Sequence, residues 1–325
     1  MDTTAFNRLI SESLEKFSAQ LPVQPASLYD PIRYFIANGG KRMRPLLVLY
    51  GAGIFSRDVS RAVPAATGIE LFHNFTLLHD DIMDNAVMRR GKETVHVKWN
   101  TNVAILSGDA LFAEAFRQVA MSPPDVLPRV LGIFSRTATE VCEGQQLDMD
   151  FENAPQVSIA GYMQMIRLKT AVLLRASLSI GALCGGAAEN DAQLLGAFGE
   201  HTGLAFQLQD DILDVFGDED KFGKVTGGDI VSNKKTFLLL KAMELANRYQ
   251  REELQHWMLV PVSEAAAKVE AVKNIYNTLG VRELAEKEMQ NQYAHATAAL
   301  EKVNAPGENK MMLKAFSDAL MVRQH

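Results

Sequence analysis

Two short stretches concentrate carboxylates at a spacing that suits a hard cation. Asp80-Asp81-Ile82-Met83-Asp84 follows HNFTLLH, and Asp210-Asp211-Ile212-Leu213-Asp214 follows FQLQ, so the pattern DDxxD occurs twice. Each follows an apolar helical run, which places each motif on a helix, toward its C-terminal part. Residues i and i+4 share a helix face, so Asp80 and Asp84 point the same way, with Asp81 beside them. Asp210, Asp214 and Asp211 repeat the arrangement. Like charges within one turn are destabilising, and aspartate is a poor residue for helix interiors. A divalent cation removes that penalty. Hard oxygen ligands select Mg²⁺, which keeps waters and is usually shared with substrate phosphates. One such motif is as readily a solvated helix face; two copies, each after apolar turns, are not. The DxDxDG spacing of an EF-hand is missing, and His79-Asp80 lacks the further histidines that a His-Asp phosphohydrolase would bring.

Cations flank these acids. Gly39-Gly40-Lys41-Arg42-Met43-Arg44-Pro45 sets three cations beside a glycine pair, and Arg89-Arg90-Gly91-Lys92 begins five residues after Asp84. Arginine offers forked donors to phosphate oxygens and lysine a point charge. His73 precedes Asp80 by seven residues and shares its helix face. Lys221, Lys224, Lys234 and Lys235 follow the second acidic motif, and Lys169-Thr170 is a further candidate. A single basic run is usually only surface. Cations adjacent to paired acidic motifs make a binding kit for an oligophosphate. The GxxxxGK[ST] loop of a P-loop enzyme is missing.

The elements that must position these residues are helical. Leu9, Ile10, Leu14 and Phe17 recur at helical spacing, as do Leu111, Phe112, Ala115, Phe116 and Val119. Residues 262–302 read as two exposed amphipathic helices broken near Gly280. Asn38-Gly39 lacks the flanking alternation of a hairpin. Breaks fall at Pro22 to Pro25, Pro123-Pro124, Asn153 to Pro155, Gly185-Gly186, Gly217 to Gly228 and Pro306-Gly307, and none is long or biased enough for an interdomain linker. The expectation is a single all-α domain over residues 1–325.

With 325 residues, 47% of them hydrophobic and 22% charged, the chain has a soluble globular composition and room for a large core. A net charge of -6 argues against a nucleic-acid partner, which needs a clustered basic surface. Cys142 and Cys184 match neither a metal spacing nor a disulfide framework. The N-terminus lacks the pattern of a signal peptide, and the apolar stretch 170–188 carries Arg175 and is short for a span, so a buried helix is expected there. A cytoplasmic location without stable membrane insertion follows as the expectation.

Taken in order, GGKRMRP, HNFTLLHDDIMD, RRGK, LSGDALFAEAF, EGQQLDMD, LKTAVLL, FQLQDDILD and GKVTGGDIVSNKKT resemble the trans-isoprenyl diphosphate synthases, or polyprenyl synthetases, from about Asp30 to Lys241. The resemblance implies an isoprenoid-synthase fold, a helical bundle around a deep central cavity, and a homodimer. It implies about three Mg²⁺ ions holding an allylic diphosphate between the acidic motifs. Asp80, Asp84 and Asp210 would be the metal ligands, with Asp81, Asp211 and Asp214 as supporting groups. Arg89, Lys169 and Lys234 would clamp the allylic diphosphate; Lys234, two before Thr236, matches the family's lysine. Lys41, Arg44, His73 and Arg90 would bind isopentenyl diphosphate. Gln207 and Lys224 also fall on family positions, Thr170 beside Lys169 is a further substrate-binding candidate, and Arg323 would help to close the site.

The implied reaction adds isopentenyl diphosphate head to tail to dimethylallyl, geranyl or farnesyl diphosphate. The charge on the departing diphosphate is stabilised by metals and cations, and that diphosphate is the implied base. Phe75, five residues before Asp80, with Thr76 next to it, would form the floor of the product tunnel, which fits a farnesyl or geranylgeranyl product. A class I terpene cyclase would normally replace the second DDxxD with an Asn/Ser/Glu motif and has no second diphosphate to bind. An idle subunit of a two-component synthase would typically lose aspartates or basic residues that this chain retains.

Overall fold

The computed structural model describes residues 3–217 and 226–321. Lys221, Lys224 and Arg323 lie outside them. In chain order the helices are α1 (Thr3–Gln20), α2 (Ala26–Ala37), α3 (Met43–Phe55), α4 (Val63–Met83), α5 (Val95–Lys98), α6 (Thr101–Val119), α7 (Leu127–Asn153) and α8 (Ile159–Ile166). A π-helical turn, Arg167–Ala171, precedes α9 (Val172–Cys184) and α10 (Glu189–Phe216). Then follow α11 (Gly228–Val231), α12 (Phe237–Leu245), α13 (Arg248–Leu259), α14 (Ala265–Leu279), α15 (Val281–Lys302) and α16 (Gly307–Met321). The expected breaks at Pro22 to Pro25, Pro123-Pro124 and Gly185-Gly186 fall between these elements, and those at Asn153 to Pro155 and Pro306-Gly307 fall at helix ends; most of the break at Gly217 to Gly228 lies outside the described residues. None of the described helices is long and apolar enough to cross a membrane.

The chain divides into two compact units. The first comprises Met1–Arg136, Ala176–Gly196 and Val303–Met312. Its α3 is buried along nearly its whole length, from Pro45 to Ile54, which is why its sequence MRPLLVLYGAGIF is apolar all round. Pro sits in the first turn of α4, where a missing N–H costs nothing. Asn100 caps α6, accepting a hydrogen bond from the Val103 amide at 2.9 Å. Where α4 and α6 meet the start of α7 lies an aromatic seam of Phe72, Phe75, Phe112 and Phe134. Phe72 and Phe134 are fully buried, a contribution of about 1.5–3 kcal/mol each.

The second unit comprises Thr137–Arg175, Ala197–Lys302 and Leu313–His325. Its core gathers Tyr162, Ile166, Leu208, Ile212, Phe237, Leu238 and Tyr276. Ser158 caps α8 through the Gly161 amide at 3.0 Å, and Asn247 with Gln250 forms a reciprocal capping box on α13. Gly280, at φ +65, ends α14 and separates it from α15, as the break in residues 262–302 required.

One element was not foreseen from sequence. Met88–Arg89 and Lys92–Glu93 pair as a two-stranded antiparallel ribbon. Its turn residues, Arg90 and Gly91, have φ of +53 and +75, as in the primed turns of tight hairpins.

Candidate active site

In the first unit the glycine-rich loop between α2 and α3 is strained. Gly39 and Gly40 have φ of +71 and +138, and Arg42 has φ +47. A Cβ on Gly40 would lie 2.8 Å from the Arg90 guanidinium, so only glycine lets Arg90 settle against this loop. Arg90 donates to the Gly39 carbonyl. Arg42 turns inward: it donates to the Ile36 carbonyl at 2.8 Å and to the buried Glu70 carboxylate. Asn74 also donates to Glu70, at 3.1 Å. Lys41 is exposed.

Arg44 lies 3.0 Å from His73 Nε2. Burial pulls its guanidinium down to about 10, with Glu70 resisting and Arg90 assisting, so Arg44 stays cationic at neutral pH. Burial also drives His73 well below its ordinary value, reinforced by Arg44, Arg90, Arg89 and Arg42. Because arginine can only donate, His73 Nε2 is the acceptor and its proton sits on Nδ1. Four guanidiniums around a neutral histidine make an electropositive pocket that a phosphate-sized anion would complete.

The first acidic motif ends α4. Asp84 is its C-cap, and its amide donates to the Asp80 carbonyl at 2.8 Å. The helix dipole is negative there, so these carboxylates add to an existing negative field and favour a cation. Asp80 is half-buried and Asp84 exposed, whereas Asp81 is buried. Asp81 Oδ1 accepts from Arg89 Nε at 2.6 Å, which leaves the terminal nitrogens of that guanidinium for an anion. Buried Asp81 Oδ2 has no hydrogen-bond partner. Burial raises the Asp81 carboxyl, and Arg89 opposes it. Thr76 donates to the His73 carbonyl at 2.9 Å. Phe75 stacks on Phe112, with ring centroids 5.1 Å apart, and meets His79 edge-on at 4.7 Å.

The second unit repeats the acidic plan on α10. Asp210 is exposed, Asp211 buried and Asp214 half-buried. Asp211 accepts from the Tyr162 hydroxyl and from Gln207 Nε2, the latter at 3.2 Å. Burial pushes its carboxyl up to about 7 against the pull of Tyr162 and Lys234. Asp214 accepts from the Asp229 amide at 2.9 Å, which ties α10 to the start of α11.

Lys234 Nζ lies 3.6 Å from Asp229 Oδ1. Burial works to lower its pKa, but Asp229, Asp211, Asp148 and Asp214 together outweigh it and hold the ammonium above its ordinary value. Lys169 pairs with Asp148 at 2.5 Å, and Thr170 donates to Gln207 Oε1 at 3.3 Å. Both come from the π-helical turn, a form frequent at functional sites. The turn can pass α7 only because residue 144 is glycine: a Cβ there would lie 2.2 Å from the Lys169 amide nitrogen. The doubled lysine resolves into two roles. Lys235 donates to the Ala154 and Glu152 carbonyls, at 2.7 and 3.1 Å, and to that of Phe151, so it caps the end of α7.

Asp148, Asp229, Tyr162 and Glu70 were not singled out from sequence. Asp148 lies in EGQQLDMD and Asp229 in GGDIVSNKKT, so an acid among family motifs was the available signal. Tyr162 and Glu70 carry no local pattern. Lys224 and Arg323 lie outside the described residues. Among those described, no three His, Cys, Asp or Glu side chains gather closely enough to cage a cation unaided. Mg²⁺ takes one or two carboxylates, waters and substrate phosphates. The all-oxygen donors of Asp80, Asp84 and Asp210 are of the right kind.

The chain is thus a helical protein with two acidic motifs at helix ends, each beside its own lysines or arginines. The chain belongs to the polyprenyl synthetase family, whose model matches residues 25–279. It is 44% identical over 228 residues to the geranylgeranyl diphosphate synthase of Methanosarcina mazei, covering 69% of this chain and 70% of that one. It is 35% identical over 321 residues to the geranylgeranyl diphosphate synthase of Sulfolobus acidocaldarius, covering 96% of each. A crystal structure of a geranylgeranyl pyrophosphate synthase matches at 41% identity with a TM-score of 0.93, covering 100% of both chains. The fold is therefore the all-α isoprenoid-synthase fold.

Proposed function

We propose that this chain is a Mg²⁺-dependent prenyl transferase that condenses isopentenyl diphosphate head to tail with dimethylallyl, geranyl or farnesyl diphosphate, ending at geranylgeranyl diphosphate. One observation carries the reading: the chain holds two different anion kits. One is carboxylates with lysines, suited to a metal-bound diphosphate. The other is the arginine pocket around neutral His73, suited to a diphosphate bound without metal. The geranylgeranyl diphosphate synthases of Methanosarcina mazei and Sulfolobus acidocaldarius, by their names, support the C20 product.

Asp80, Asp84 and Asp210 would hold Mg²⁺, which supplies charge stabilisation for a departing diphosphate. Lys169, Lys234 and Arg89 hold the allylic diphosphate. Lys41, Arg44, His73 and Arg90 hold isopentenyl diphosphate. The allylic C–O bond breaks, the isopentenyl double bond attacks the cation, and the proton passes to the released diphosphate. Cations preorganised on rigid helices cost no reorganisation at that moment. Asp81 and Asp211, engaged by Arg89 and by Tyr162 and Gln207, fix the motif helices. Ile105, Phe112 and Phe116 are exposed along one side of α6, an apolar patch that suits the subunit contact of a homodimer.

The test is diphosphate release from geranyl diphosphate by purified chain whose oligomeric mass is known from sedimentation. Release should require both isopentenyl diphosphate and Mg²⁺, stop on chelation and resume when Mg²⁺ is restored, at the mass of a dimer. Release without isopentenyl diphosphate would indicate cyclisation instead.

A further inference from the structure

The segment that carries Asp229 and Lys234 is held from behind by helices in which the sequence shows no chemistry. Lys268, in the first turn of α14, is 2% exposed. Its ammonium lies 2.7 Å from Asn233 Oδ1 and 3.2 Å from the Val231 carbonyl, both neutral acceptors. Asn233 occupies the left-handed region at φ +56, and its Nδ2 donates to the Met258 carbonyl at the end of α13, at 2.9 Å. Both polar ends of one side chain are thus clamped, at the residue immediately before Lys234. The Lys234 amide donates to the Asp229 carbonyl at 2.9 Å. Asp229, Asn233, Lys234, Lys268 and Tyr276 line one small cavity. Burying an ammonium against uncharged oxygens is costly, and an apolar side chain of similar size would fill the space at less expense. A lysine kept there must provide something that packing alone does not.

We propose that Lys268, acting through Asn233, is a positioning residue that fixes the Lys234 ammonium for the diphosphate. Lys268 closes the end of α11 through Val231 and locks Asn233 in its left-handed turn. The turn then delivers Lys234 beside Asp229 rather than out along the surface. The side chain of Lys234 is 43% exposed and reaches Asp229 only at 3.6 Å, so the turn that leads into it sets where it leaves the backbone. This rests on the reading of Lys234 as a diphosphate ligand.

The experiment uses the full chain with Lys268→Met, Asn233→Gly, the two combined, and Lys234→Ala. Affinity for inorganic diphosphate with excess Mg²⁺ is measured by calorimetry, and kcat and the KM of each substrate by steady-state assay. Asn233→Gly keeps the left-handed turn and removes only the clamp, so it carries the test if Lys268→Met fails to fold. Lys268→Met and Asn233→Gly should each weaken diphosphate binding and lower kcat by about tenfold, the scale of one charged hydrogen bond. The KM for isopentenyl diphosphate should stay within about twofold, and the double variant should be no worse than the poorer single one, as for groups acting as a unit. Unchanged diphosphate affinity in either folded single variant overturns the proposal, as does an equal rise in both KM values. If Lys234→Ala leaves diphosphate affinity unchanged, the reading of Lys234 itself fails. If Lys234→Ala weakens it and Lys268→Met does not, only the positioning role fails.

Discussion

At His73 burial and four guanidiniums act in the same direction, and the charge state of one side chain records the whole pocket. The folded-state pKa lies well below the ordinary 6.5, so below that pH the unfolded chain binds more protons than the folded one. Stability then falls as pH drops below about 6.5 and gains nothing from this group above it. His73→Gln keeps a neutral hydrogen-bonding group and removes the titration. The urea midpoint of the parent should therefore fall more between pH 7 and pH 5 than that of His73→Gln; identical pH profiles would show that His73 is not held neutral. The acids and most of the cations were legible at this scale, because charge at helical spacing is a local property of sequence. Asp211's partner Tyr162 was not. It arrives from α8, and no spacing within the chain announces a contact between α8 and α10.

At the scale of elements, α4 carries chemistry at its C-terminal end and packing one turn earlier. His73 ties the helix to Arg44 of α3, Asn74 and Thr76 bond back to Glu70 and His73 within α4, and Phe75 lies against Phe112 of α6. Phe75→Ala removes one layer of that aromatic seam and should lengthen the products by one or more five-carbon units, read by mass spectrometry. An unchanged product distribution would mean that Phe75 is only core. The helix end at Gly280 was readable because glycine closes a helix in the left-handed region. The ribbon at Met88–Glu93 was not, since its strands are two residues long and its turn uses Arg-Gly in place of Asn-Gly. That turn nevertheless separates the tasks of Arg89, which meets Asp81, and Arg90, which meets Gly39. In sequence only their offset from Thr236 separates Lys234 from Lys235, and the position of the α7 C-terminus is what gives Lys235 its separate role.

Across the whole molecule, each compact unit carries an acidic motif on one plan: a buried second aspartate between a first and a third that are both more open. The buried aspartates are held by different partners, Arg89 in the first unit and Tyr162 with Gln207 in the second. The first unit adds the arginine pocket and the second adds the lysines, a division of labour that suits a reaction with two diphosphate substrates. The central claim is tested most directly by incubating the purified chain with Mg²⁺, isopentenyl diphosphate and, in turn, dimethylallyl, geranyl and farnesyl diphosphate, and weighing the products. The account predicts products longer by whole five-carbon units from each primer, ending at twenty carbons. Folded, metal-supplied protein that extends none of the three would contradict it.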